Sequence, residues 1–141
     1  YRETISLLAP KGWLDISNFP RRQAVDFSLI GDLPIILLKE GHRARTVFDE
    51  FCTCSAYAPN LVMETSSMDA ALSLVKEEIG MAVVPTFYVE NLAPQGLVEP
   101  FLLPVNSNTW DVGLIYSENR ELTLAEQELL AILRRNFQDR Q

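Results

Sequence analysis

An α/β fold built on a parallel sheet is predicted by three observations. Short apolar runs alternate with helix-period segments from Pro34 to Val84. Glycine or proline punctuates the changes, at Gly41, Pro59, Gly80 and Pro85. The central run, Pro34-Ile35-Ile36-Leu37-Leu38, is apolar without alternation, as in a strand covered on both faces. Strand, helix, strand, helix, strand in that order calls for right-handed crossovers within one sheet.

Each element has its own warrant. Thr4 to Ala9 reads as a strand stopped by Pro10, and Lys11 to Arg22 as a loop. A short helix is placed within Phe27 to Leu33, before the central run. From Arg43 to about Ala56, Val47, Phe48, Phe51 and Cys52 mark one face of a helix. Leu61 to Glu64 is the next strand. Ser66 and Ser67, with Asp69 behind them, signal a helix start. That helix turns Met68, Ala71, Leu72, Leu74, Val75 and Ile79 inward, and Gly80 is expected to end it in the left-handed conformation. Met81 to Val84 is a strand stopped by Pro85. A short helical segment at Phe87 to Asn91 and an extended stretch from Leu97 to Leu103 follow. Trp110 to Tyr116 is read as a strand. Thr123-Leu124-Ala125-Glu126 is a capping box opening a last helix, whose inner face is Leu129, Leu130, Ile132, Leu133 and Phe137.

Composition bounds the function. A chain of 141 residues makes one domain or two small lobes, and 48% hydrophobic residues exclude a disordered tail. The 12 Lys and Arg against 19 Asp and Glu leave a net charge of −7, which repels phosphates. This chain is therefore not expected to be the part of any regulator that grips DNA. No apolar run approaches the ~20 residues of a membrane helix. No signal peptide opens the chain, and Tyr1 is not a natural start, so the chain is expected to begin in mid-protein. Cys52 and Cys54 stand too close in sequence for a structural bridge, which points to a reducing compartment. They read as thiols on or near a helix, or as a weak redox sensor.

With these elements in place, the stretch Glu64-Thr65-Ser66-Ser67-Met68-Asp69-Ala70-Ala71-Leu72-Ser73-Leu74-Val75, followed by Gly80-Met81-Ala82-Val83-Val84-Pro85, resembles the signature of LysR-type effector domains. Glu78 departs from it, standing where a small residue or second glycine is common. Gly96-Leu97-Val98 and Leu122-Thr123-Leu124-Ala125 also resemble the family, and the likeness runs through nearly the whole chain in order.

The resemblance implies a type 2 periplasmic-binding-protein-like α/β fold of two lobes with a cleft between them. The second lobe would be complete over residues 29–96. The first would be partial: a strand and crossover in 1–28, and the return crossover, a strand and the C-terminal helix in 97–141. The winged helix-turn-helix that binds DNA would lie outside this chain. Such a truncated first lobe leaves apolar strand edges, so the fragment is expected to dimerise.

Binding residues are sought where strand ends meet helix starts. Free N–H groups and the helix dipole make such places anion sites, and ligands of open α/β sheets sit outside the carboxyl ends of strands. Ser66 and Ser67 stand there, each a helix cap, a ligand contact, or both. Gly41, His42 and Arg43 follow the central strand; they are a solvated basic turn or an anchor for a carboxylate. Pro85, Thr86 and Phe87 offer a hydroxyl and an apolar wall, though Phe87 also suits a core. By resemblance Val47, Phe51 and Tyr57 face a second subunit; a plain core face explains Val47 and Phe51 as well. The lone histidine, His42, lacks a second ligand, so no metal site is expected. No nucleophile set, phosphate loop or cofactor motif is present.

The sequence thus points to the effector-sensing domain of a cytoplasmic bacterial transcription regulator, a homo-oligomer and not an enzyme. It would bind a small, in this reading anionic, molecule without a cofactor. An extracytoplasmic solute-binding protein of the same fold is the alternative.

Overall fold

The computed structural model of the chain describes residues 2–15, 30–92, 96–103, 109–116 and 119–138. Eleven elements follow in order among them: β1 (Arg2–Glu3), β2 (Ile5–Pro10), β3 (Pro34–Leu38), α1 (Arg43–Ser55), β4 (Asn60–Thr65), α2 (Met68–Lys76), β5 (Met81–Pro85), α3 (Thr86–Leu92), β6 (Val98–Leu102), β7 (Trp110–Asp111) and α4 (Leu124–Gln138). They form two units. One comprises Thr4–Thr109; the other joins the first residues, through Glu3, to the chain from Trp110 onward.

The Thr4–Thr109 unit is a five-stranded sheet in the order β4-β3-β5-β2-β6. β3 pairs in parallel with β4 and with β5, while β2 runs antiparallel to both β5 and β6. The chain moves outward from β3 to β4 and back across β3 to β5. Crossovers of one hand then put α1 and α2 on opposite faces. Both faces of the middle strands are therefore covered: every residue of β2 is buried, as are Ile35 to Leu38 and Met81 to Val84. α1 covers its side with Ala44, Val47, Phe48 and Phe51, and α2 with Ala71, Leu72 and Val75. Continuous apolar runs in β3 and β5 are the sequence consequence of burial on two faces.

Several expectations change. The opening strand, expected in the partial first lobe, lies inside this sheet between β5 and β6. Only Arg2–Glu3 joins the other unit, pairing with Trp110–Asp111. The unit boundaries therefore fall at Thr4 and Thr109 and not at residues 29 and 96. The reason is non-local: β2 closes the hydrogen-bonding edges of two strands more than 70 residues later in the chain. Of the helix placed within Phe27 to Leu33, residues 27–29 lie outside the described residues; Ile30 to Asp32 form a turn and not a helix, with Leu33 N–H donating to Ile30 O at 3.3 Å.

Gly80 plays another part than expected. The left-handed residue at the end of α2 is Glu78, at φ 57°. Its N–H donates to Val75 O, and Ile79 N–H donates to Leu74 O, the paired bonds of a Schellman ending. Gly80 is needed for space: a Cβ there would stand 2.9 Å from Pro34 O and 3.2 Å from an Ile36 side-chain carbon.

In the other unit, the expected strand from Trp110 shrinks to two residues. Its only partner among the described residues, β1, is two residues long, and unpaired backbone cannot extend a ladder. The capping box stands as read: Glu126 N–H donates to Thr123 Oγ1, and Thr123 N–H donates to Glu126 at 2.8 Å. The expected inner face of α4 remains solvent-facing, with Leu129 53% and Ile132 41% exposed. Leu130 and Leu133 of the same face are half-buried.

Candidate functional site

β3, β4 and β5 are parallel, so their carboxyl ends share one edge of the sheet. β2 is antiparallel and brings its amino end to the same edge, with Ile5 opposite Pro85. Three strand-to-helix turns and one strand start therefore converge there.

The turn after β3 carries Gly41 at φ 94°, a conformation that favours glycine. Lys39 N–H donates to Thr65 O at 2.9 Å, tying this turn to the end of β4. His42 is the N-cap of α1, but its side chain makes no capping bond. Arg43 opens the helix and is exposed, and α1 has no acidic residue in its first turn. The positive end of its dipole is thus not neutralised from within the helix.

The turn after β4 separates the two serines. Ser67 caps α2, its hydroxyl accepting from Ala70 N–H at 3.2 Å. Ser67 N–H donates in turn to Thr65 Oγ1. Ser66 is exposed, and its hydroxyl has no protein partner among the described residues. Asp69 occupies the first turn of α2 and accepts a short bond from the Tyr88 hydroxyl. Burial, then that bond and the carboxylate charge, push Tyr88 up to about 12, so it remains a donor.

The turn after β5 is held from β2. Thr86 N–H donates to Thr4 O at 2.9 Å, and the Thr86 hydroxyl accepts from Thr4 Oγ1 at 2.7 Å. The buried Ser6 hydroxyl meets it at 2.7 Å as well. Thr86 is thus engaged twice within the protein, leaving little of its hydroxyl for a ligand. Pro85 and Phe87 beside it are half-buried.

Arg45 is the other anchored group. Its Nε donates to both Asp49 oxygens at 2.8–2.9 Å, and its Nη1 to Leu38 O at 3.3 Å and to Glu64. The Glu64 bond is the largest cause holding this guanidinium above its usual pKa. Arg45 and not Arg43 is therefore the arginine built into the strand ends.

The fold thus gathers Gly41, His42, Arg43, Ser66, Ser67, Pro85, Thr86 and Phe87 at one sheet edge. Thr4, Ser6, Arg45 and Tyr88 escaped the sequence reading. Polar residues at alternate positions of an apolar strand were the available signal for Thr4 and Ser6. For Arg45 the i,i+4 pair with Asp49 was the available signal, but its bond to Glu64, like the bond of Tyr88 to Asp69, spans 19 residues and gave none. The expected subunit contacts need correction: Val47 is fully buried and Phe51 6% exposed, packed within their own chain. A side chain with no exposed area has none to offer a partner. Tyr57 stays half-buried, its ring 6.4 Å from Phe51 and its hydroxyl donating to Gly31 O.

The chemistry gathered at this edge is that of hydrogen bonding and charge. Among the described residues, no three His, Cys, Asp or Glu side chains converge on a metal position, and no helix is long and apolar enough to cross a membrane. Burial pushes the Cys52 thiol up to about 11, away from the thiolate a nucleophile needs.

The chain is similar to known proteins in sequence and in fold. The chain is 26% identical over 117 residues to the uncharacterized HTH-type transcriptional regulator YcgK of Bacillus subtilis, a match covering 83% of this chain and 35% of that protein. The chain thus spans about a third of the length of that relative. Among solved structures, it is similar to the CcmR regulatory domain of Synechocystis PCC6803 in complex with 2-PG, at TM-score 0.64 and 11% identity, over 94% of this chain and 62% of that one. The effector binding domain of QuiR in complex with shikimate gives the same TM-score and identity over 99% and 63%. HinK, a LysR family regulator of Pseudomonas aeruginosa, matches at TM-score 0.62 and 17% identity over 96% and 45%. These likenesses establish the fold, a type 2 periplasmic-binding-protein-like α/β architecture. The family model for the LysR substrate binding domain matches residues 1–138, and the chain belongs to that family.

Proposed function

We propose that this domain senses a small anionic molecule at the carboxyl edge of its five-stranded sheet, for a bacterial regulator that binds DNA through a winged helix-turn-helix beyond this chain. The observation that carries the proposal is the exposed Ser66 hydroxyl beside the Lys39–Arg43 turn and the uncapped start of α1. Backbone N–H groups, a hydroxyl and two cations are the donors a carboxylate or phosphate recruits. Asp69 already opposes the positive end of α2, so the anion sits toward α1. Ser67 and Thr86 shape the site through their internal bonds, while Pro85 and Phe87 supply apolar wall. Two relatives of the same fold hold small molecules, 2-PG and shikimate, which supports a small ligand here. The role is binding and not catalysis, in a homo-oligomer of the cytoplasm. The ligand acts by preferring one arrangement of the whole regulator, and shifts it by no more than that preference.

The test is a melting screen of the full-length protein with small carboxylates and phosphate esters against neutral and amine compounds. Acids raise the melting temperature by mass action, and Ser66→Ala or Arg43→Gln reduces the rise. A rise with neutral or cationic compounds alone would sink the anionic reading.

A further inference from the structure

Arg45 is not among the expected binding residues, yet it touches the ends of β3 and β4, the strands that lead into the Gly41–Arg43 and Ser66–Ser67 turns. Its guanidinium reaches Asp49 on its own helix, the last carbonyl of β3 at Leu38, and Glu64 one residue before the end of β4. Its side chain is only 15% exposed, whereas Asp49 and Glu64 are 51% and 42% exposed. The register puts Leu37 opposite Glu64 and Leu38 opposite Thr65, so these contacts lie at the base of the Lys39–His42 and Ser66–Ser67 turns. One further bond joins the turns directly, from Lys39 N–H to Thr65 O at 2.9 Å. A planar fork with donors in fixed directions can serve three acceptors at once; an ammonium is a point charge.

We propose that Arg45 is a positioning residue that locks the β3 and β4 turns into one rigid edge and so sets the distance between the Gly41–Arg43 turn and Ser66. The proposal deepens the effector reading and rests on it for its functional meaning. Asp49 fixes the rotamer of Arg45, Leu38 O fixes its height at the strand end, and Glu64 draws β4 to it. Without the fork, Glu64 turns to solvent and the Lys39–Thr65 bond alone joins the turns. Arg45 does not contact the ligand; its own positive charge is already met by two carboxylates.

The test is hydrogen–deuterium exchange on the full-length protein without any ligand, comparing wild type with Arg45→Met, Arg45→Lys and Glu64→Gln. Peptides over residues 39–42 and 65–69 report the turns, and a peptide over 81–85 reports the core. Arg45→Met is expected to speed exchange in both turn peptides about tenfold, the effect of one lost charge-assisted bond, with the core peptide unchanged. Arg45→Lys does the same, because the fork and not the charge does the holding. Glu64→Gln, whose side chain is exposed enough to tolerate the change, speeds exchange less but in the same two peptides. Wild-type exchange in the turns for Arg45→Met and Glu64→Gln would overturn the proposal. So would equal acceleration in the core peptide, the mark of general destabilisation. Wild-type rates in Arg45→Lys alone would overturn the role of the fork. Because no ligand is used, failure here leaves the effector screen standing, and failure of that screen leaves this result standing.

Discussion

Glu78→Gly should stabilise this domain, while Gly80→Ala, two residues away, should destabilise it. Glu78 holds a left-handed conformation, φ 57°, where a Cβ crowds the following carbonyl. That crowding costs roughly 1–2 kcal/mol for a residue other than glycine. Glycine removes it but adds about 0.4–1 kcal/mol of unfolded-chain entropy. The backbone gain is therefore between about 0 and 1.6 kcal/mol, near 0.8 kcal/mol at the midpoints of the two ranges. Removing a carboxylate from the negative end of α2 adds roughly 0.3 kcal/mol. Glu78→Gln isolates the charge effect, and the difference between the two variants isolates the backbone. Gly80 has no strained φ to relieve. Its new Cβ would meet Pro34 O at 2.9 Å, and Pro34 opens β3, the strand paired on both sides by β4 and β5, so that backbone cannot easily retreat. Overpacking of this kind costs about 1–3 kcal/mol. Calorimetric unfolding of the protein carrying the domain reads both, at roughly 3 °C per kcal/mol for a domain of this size. Glu78→Gly should raise the midpoint by about 2–4 °C and Gly80→Ala should lower it by about 3–9 °C. Equal midpoints for Glu78→Gly and Glu78→Gln would refute the backbone argument. A stabilised Gly80→Ala would refute the assignment of Gly80 to close packing.

The serines should separate by assay. Ser67→Ala removes the cap bond to Ala70 and costs about 1 kcal/mol in urea unfolding, whereas Ser66→Ala leaves stability unchanged and weakens the response to acids. Thr86→Val removes the shared partner of Thr4 and the buried Ser6 hydroxyl, and should cost about 1–3 kcal/mol in the same measurement. Cys52, with its thiol pushed up to about 11, should alkylate with iodoacetamide at pH 8 far more slowly than the exposed Cys54. Equal rates would contradict the burial of Cys52. Glu126 is lowered from 4.5 to about 2 by its bonds from Arg120 and from Thr123. A carboxyl whose pKa is depressed by folding contributes stability above its unfolded value and loses it as pH falls through the folded one. Amide protection at the start of α4, measured relative to the intrinsic exchange rate at each pH, should therefore fall between pH 4.5 and 2, and Glu126→Gln should abolish that pH dependence.

The periodicity of apolar residues by itself determined that β3, α1, β4, α2, β5 and α3 exist, and in what order. Backbone hydrogen bonding leaves few ways to bury such runs, so a parallel sheet with helices on both faces follows from pattern alone. The same logic placed Ser66, Gly41 and Thr86 at strand ends, because strand ends are visible where apolar runs stop. The capping box at Thr123 was legible because both partners lie within one helical turn. Tertiary structure decided whatever depends on distant partners. β2 reads alike whether it borders one lobe or fills the middle of another, and only its pairing with β5 and β6 settles which. Val47 and Phe51 form an apolar stripe that suits an interface or a core; only the sheet beneath them chooses. Arg45 and Arg43 are equivalent letters at the start of one helix. The direction of the helix surface turns one into solvent and the other onto Leu38, Asp49 and Glu64; Asp49 four residues on is a local hint, but the contacts with Leu38 and Glu64 exist only in the tertiary structure.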